Sequence, residues 1–383
     1  MMQKSYTAIL ALGLSLLSSC SQNGKQSSKL DGHYESSSAA QFKQTTGAQR
    51  ATAEYEPSRG VIISLPLISS FGMNQMAAAI AEADIEKLWI IVPSTFTGTF
   101  QTSSTFAGLR SIIGRNASKV ELIKQQTAGS LTVWFNYYGN RQADDFTAQS
   151  MEKLLDFERV SVPVYNEGGN FMNNTRGDCL MTTRVTDANE VAERSDDIEL
   201  DAGGVAAYYK AAAGCKTVKI FPRIPYEGTG HIDMWAKFLD DDNVIVSELR
   251  EEVMALYTNK ADLQKARNMQ VYLDTRASEI EAMGFNVIRI PAPGPIFRND
   301  ETYRSYTNSL TVSGSVIVPR YVTPGSDTIA VNGLYFDQAL LAKYEAEVRK
   351  VYESFGYKFT WVNSDDLIYT GGAVHCTTMQ IPL

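Results

Sequence analysis

Histidine and cysteine are scarce in this chain of 383 residues, with three of the first and four of the second. His33, His231 and His375 are too few and too far apart to suggest a metal site, and no two cysteines are closely spaced, so no metal centre is expected. Basic residues are not in excess: the net charge is −8 at pH 7, which gives no sign of a nucleic-acid partner. Long apolar runs are missing too. The N-terminal run, Ala8 to Leu17, is too short to cross a bilayer as a helix. What remains is an ordinary globular composition, 44% hydrophobic, able to form a sizeable core.

The first segment reads as an address. Lys4 precedes the apolar run, and Ser18 and Ser19 follow it before Cys20. Leu17-Ser18-Ser19-Cys20 resembles a lipobox, which implies cleavage before Cys20, lipidation of its thiol and anchoring in a bacterial cell envelope, at the outer membrane or in the periplasm. Residues 1–19 are therefore expected to be a signal peptide. Residues 20–51, rich in Ser, Gln, Lys and Gly without an apolar period, are expected to be the lipidated cysteine and a flexible tether. Residues 52–383 are expected to form a single domain that meets the membrane only through the lipid. Within it Cys179 and Cys215 are read as buried thiols, with pairing in an oxidising compartment as the alternative.

An order of strand, strand, helix, strand recurs along the domain. The units run from Glu167 to Phe221, from His231 through FNVIRI at residue 290, and from Tyr306 through YKFTWV at residue 362. Val61 to Val92 reads as part of another unit, and Ala373 to Ile381 as an opening strand with no helix behind it. A terminal half-unit beside a partial first unit suggests an α/β ring closed by its own ends, which would remove exposed sheet edges.

The conspicuous polar residues fall on the opening strands: Glu167 and Asn170 in EGGN, His231 and Asp233 in GTGHID, Asn308 in YTNS, and Cys376 in GGAVHC. Equivalent positions in a ring converge on its axis. His231 and Asp233, two apart, would share one face of a strand, and His375 would point away from Cys376. Cys376, after a glycine pair, is the candidate nucleophile; a buried structural cysteine is the plainer alternative. Glu167 beside a turn and Asn308 bracing a strand have equally plain alternatives.

EGGN, GTGHID, YTNS and the final GGxxHCxTxQxP resemble the guanidine-modifying α/β-propellers, specifically agmatine deiminase and the bacterial type of peptidylarginine deiminase. EYEPSRGVIISLP, from Glu54, resembles the start of that domain. The resemblance implies a pseudo-symmetric propeller of five ββαβ-type modules, no cofactor, and hydrolysis of a guanidinium group, on agmatine or on peptidylarginine, to a ureido group and ammonia. A guanidinium carbon is a poor electrophile, so the reaction needs a strong nucleophile and a proton donor for the departing nitrogen. Cys376 as thiolate and His231 would supply these, Glu167 would orient His231, and Asp233 would accept hydrogen bonds from the guanidinium, with Asn308 near the substrate.

One stretch departs from the family pattern. Where the family has WxRDxG, this chain has WFNYYG, Trp134 to Gly139, so that Tyr137 stands in place of a guanidinium-binding aspartate. Trp134 still offers a flat wall to a planar group. Asp144 or Asp145 could replace the lost carboxylate, or Tyr137 could select a different amidine, or the protein could have become a lipid-anchored binding module. An amidinotransferase, with an amine in place of water, would use the same thiol and histidine. Oligomeric state has no signature in the sequence.

Overall fold

The computed structural model describes residues 50–65, 71–125, 155, 162–192, 198–295, 297, 303–321, 337–368 and 371–383. The proposed signal, Cys20, the tether as far as residue 49, and the stretch holding Trp134, Tyr137, Asp144 and Asp145 lie outside the described residues.

The fold is mixed α/β. β1 (Ser58–Ser64) leads through α1 (Phe71–Glu82) to β2 (Lys87–Pro93), parallel to β1, and β3 (Val120–Gln125) continues the sheet parallel to β2. The next unit contains β4 (Met172–Asn173), β5 (Asp178–Thr182), α2 (Ala202–Ala212) and β6 (Thr217–Phe221). It is followed by β7 (Ala236–Phe238), β8 (Asn243–Glu248), α3 (Lys260–Ala282) and β9 (Asn286–Pro291). The last full unit has β10 (Leu310–Val312), β11 (Ser315–Arg320), α4 (Gln338–Ser354) and β12 (Lys358–Asn363). In all three the first two strands pair antiparallel, and the strand after the helix returns parallel to the middle one. The three expected repeats are thus present. β13 (Met379–Pro382) pairs antiparallel with β1, so the C-terminus supplies the opening strand that the first unit lacks.

Local chemistry explains the repetition. The middle strands β8 and β11 are near-continuous apolar runs whose central residues are buried, as a strand covered on both faces requires. The long helix of each of the three full units starts on a side-chain cap: Asp201 accepts from the Gly204 amide, Asn259 from those of Ala261 and Asp262, and Asp337 from that of Leu340. Each ends just before a glycine at positive φ, Gly214 at 66°, Gly284 at 98° and Gly356 at 84°, which turns the chain into the parallel strand. Between β10 and β11, Ser313 and Gly314 both have positive φ, as a two-residue hairpin turn of type I′ requires.

Two expectations are corrected here. The opening strands are only two to four residues long, because the polar motifs ahead of them form 3-10 turns instead: Gly168–Asn170, Ile232–Met234 and His375–Thr377. Cys179 and Cys215 are not free thiols but a disulfide, joining the start of β5 to the loop that leads into β6. Both cysteines pack in the small core under α2 with Val162, Val164, Val205 and Tyr209. Their separation of 36 residues closes a loop whose restraint of the unfolded chain stabilises the fold by about 4 kcal/mol. A Cys179→Ser/Cys215→Ser variant is expected to lose stability of that order, measured as a lower denaturation midpoint that reduction of the native protein reproduces.

Candidate active site

The leading turns of four units are tied to one another. Thr182 donates from Oγ1 to the Gly230 carbonyl, Thr307 from Oγ1 to the Asp233 carbonyl at 3.0 Å, and the His375 amide to the Asn308 carbonyl at 3.1 Å. Asn308 is the brace between the last two: its Oδ1 accepts from the Ala373 amide at 2.9 Å, while its Nδ2 lies 2.8 Å from Asp233 Oδ2 and 3.0 Å from Cys376 Sγ. Groups separated by more than two hundred residues, Glu167 and Cys376, therefore share one site.

His231 and Asp233 come together by a route the strand argument did not contain. His231 is extended, and the chain then enters the 3-10 turn that carries Asp233. Both side chains pass Gly169: a Cβ there would lie 2.7 Å from Asp233 Oδ2 and 2.9 Å from His231 Nδ1, so the second glycine of EGGN is needed for close approach. Glu167 Oε2 stands 3.2 Å from His231 Nε2 and fixes the ring. Asp233 Oδ2 is 3.2 Å from Cys376 Sγ.

The expectation that His375 points away from Cys376 is wrong, since alternation belongs to strands and this segment is a 3-10 turn. His375 Nδ1 lies 2.7 Å from Asp233 Oδ2, so three donors gather on one carboxylate oxygen. The other, Asp233 Oδ1, is buried and has no hydrogen-bond partner among the described residues.

Charge in the site follows from this crowding. Burial raises the pKa of Asp233, but the hydrogen bond and charge of His375, then the charge of His231, outweigh it and hold the carboxyl below its ordinary value. Cys376 keeps some exposed surface, yet the protein packed around its thiol pushes its pKa well above the ordinary value, and the Asp233 charge adds to the rise. The resting group is a thiol that donates to Asp233. Gly372 lies against it: an added Cβ would sit 2.3 Å from Cys376 Cβ and 2.4 Å from Sγ. Gly372→Ala is expected to displace the sulfur and lower Cys376-dependent turnover about a hundredfold. Comparison of its iodoacetamide reactivity and far-UV circular dichroism with those of the native protein checks that the lesion is local.

Sequence reasoning missed Glu227. It accepts from the amides of Thr229 and Gly230 and from Thr229 Oγ1, closing the loop that delivers His231, and burial pushes its carboxyl up. A carboxylate just ahead of GTG was the available signal. One donor atom from each of His231, Asp233 and Cys376 lies within 4.8 Å of the others, a set that could hold a soft divalent ion although its spacing in sequence gave no hint. The same groups are engaged with each other and with Glu167 and Asn308 as a nucleophile, a base and an acceptor would be.

The family model of the Porphyromonas-type peptidyl-arginine deiminases matches residues 52–382. The chain belongs to this deiminase family. A Shewanella baltica protein named provisionally as an agmatine deiminase is 25% identical over 250 residues, 62% of each chain. The agmatine deiminase of Medicago truncatula is 22% identical over 302 residues, 71% of this chain and 73% of its own. Among solved structures, C. jejuni agmatine deiminase superposes with a TM-score of 0.61 at 18% identity, over 87% of this chain and 95% of its own. The family thus comes with a shared mixed α/β fold. The chain spans about 62% of the length of the Shewanella baltica relatives it matches.

Proposed function

We propose that this family member is a guanidine deiminase that converts a guanidinium group to a ureido group and ammonia through a covalent intermediate on Cys376. The observation that carries the reading is Asp233: one oxygen meets the Cys376 thiol, and the other is buried with no partner among the described residues, where a guanidinium N–H would satisfy it. Arrival of the cation beside Sγ favours loss of the thiol proton to solvent, and the thiolate attacks the guanidinium carbon. His231, held by Glu167, gives its proton to the departing nitrogen, and ammonia leaves an amidino group on sulfur. Neutral His231 then takes a proton from water, whose oxygen displaces the sulfur and releases the ureido product. Oriented by a carboxylate and used twice, this histidine works as the base of a triad does.

The repeated ββαβ plan and the β13–β1 pairing support a five-unit propeller. The Tyr137 substitution favours a substrate other than free arginine or agmatine, such as a peptide side chain or a substituted amidine. Ammonia release from agmatine, arginine and peptides with internal or C-terminal arginine, with mass spectrometry for a Cys376 adduct, tests the reading. Neither ammonia nor adduct from any of them, nor from a panel of amidines, would leave a binding protein as the better account.

Export and lipidation belong to the same proposal. The Cys179–Cys215 disulfide supports an oxidising compartment, and the lipobox-like residues support an anchor. A radiolabelled fatty acid is expected on the native protein and absent from Cys20→Ala; label persisting in the variant would refute the anchor.

A further inference from the structure

Glu54, noted in the sequence only as part of a domain-start motif, reaches the back of the site. Its Oε1 accepts from the Thr311 amide at 2.6 Å. Its Oε2 lies between the Lys237 ammonium, which it binds, and His375 Nε2, 3.6 Å away. Lys237 is buried and donates a second hydrogen bond to the Ser309 carbonyl at 2.8 Å. Beyond His375 comes Asp233 and then Cys376, so that a line of side chains runs from a partly buried ion pair to the nucleophile. Among the described residues, the groups facing Asp233 are His375, His231, Asn308 and Cys376, and those facing His375 are Asp233 and Glu54.

An ionised carboxylate only accepts, so a ring nitrogen at hydrogen-bond distance from one must carry the hydrogen. At 2.7 Å the Asp233 contact is a hydrogen bond, whereas 3.6 Å to Glu54 is too long for one. Lys237 on the same Glu54 oxygen neutralises its pull on the ring proton. We propose that His375, backed by the Glu54–Lys237 pair, is a positioning residue that donates from Nδ1 to Asp233 Oδ2, leaves Oδ1 free for substrate, and draws the carboxylate charge away from the Cys376 sulfur. The substrate half of this role rests on the deiminase reading; the effect on the thiol does not.

The test reads the rate of Cys376 alkylation by iodoacetamide at pH 8, by mass spectrometry of the intact protein, beside ammonia release. His375→Phe fills the space but cannot donate, and is expected to slow alkylation about tenfold as Asp233 charge bears more strongly on the thiol. His375→Asn places an amide N–H near the lost Nδ1 and is expected to stay within about twofold of the native rate. The Glu54→Gln/Lys237→Met pair is expected to slow alkylation about threefold, and to add nothing in the His375→Phe background. A His375→Phe rate equal to native, or a His375→Asn rate as low as that of His375→Phe, overturns the proposal. Should His375→Phe fail to fold, the double variant decides: a native rate there overturns the role of the pair. Alkylation rates that follow the expected order without ammonia from any guanidino compound would refute the deiminase reading and leave the positioning role standing.

Discussion

Replacing Cys376 with alanine is expected to lower ammonia release from a guanidino substrate at least about ten-thousandfold, with the fold intact. The large effect follows from covalent catalysis: no other thiol among the described residues is free, and without sulfur there is nothing to hold the amidino group while water is activated. The fold should tolerate the change, since the thiol is partly exposed and, among the described residues, bonds only to Asp233 and Asn308. Serine should be nearly as inactive, because an alkoxide in this pocket is far less accessible than a thiolate. Because the resting thiol titrates well above its ordinary range and must lose its proton before it attacks, turnover at subsaturating substrate should fall as the pH is lowered into the acid range. Ammonia release across pH, with mass spectrometry for the adduct, measures both. An alanine variant within tenfold of native would sink the mechanism.

The repeat plan was legible because helix and strand periods alternate regularly and the glycines that stop each helix recur. The closing strands fall within a residue of the sequence reading, as at Asn286–Pro291 for FNVIRI and Lys358–Asn363 for YKFTWV. The opening strands were misread for a physical reason. GTGHID and GGAVHC alternate enough to suggest strands, but glycines and inter-unit hydrogen bonds bend them into 3-10 turns, so the side-chain directions inferred from a period of two were wrong for His375. Glu167, His231, Asp233, Asn308 and Cys376 lie together all the same, since convergence depends on equivalence between units and not on the local period. The part Glu54 and Lys237 play behind His375 was illegible because their partners lie on other segments. The Cys179–Cys215 pairing was hidden similarly: only the parallel β5–β6 ladder brings the two within reach.

Asp233→Asn, made in a Cys376→Ala background to prevent turnover, is expected to weaken binding of a cationic guanidino ligand by a factor of hundreds or more. Removing one member of a desolvated charge pair costs about 3–5 kcal/mol, which sets that scale. Orientation makes the loss harder to recover. Oδ2 receives donors from His375 and Asn308 that remain in the variant, so the asparagine must turn its carbonyl oxygen toward them and its NH₂ group toward the ligand, donor against donor. The carboxylate also matters to folding. Its pKa is lowered in the folded state, chiefly by His375 against the opposing effect of burial, so it contributes stability above its unfolded pKa near 3.8 that is lost as pH falls through the folded value. The asparagine variant should lack that part of the acid transition. Calorimetric titration with agmatine and with an arginine peptide, beside acid unfolding of both proteins, measures the two effects. Affinity unchanged within threefold would mean that the free oxygen of Asp233 does not receive the guanidinium, and the cation would then have to be held by residues other than those gathered around Cys376.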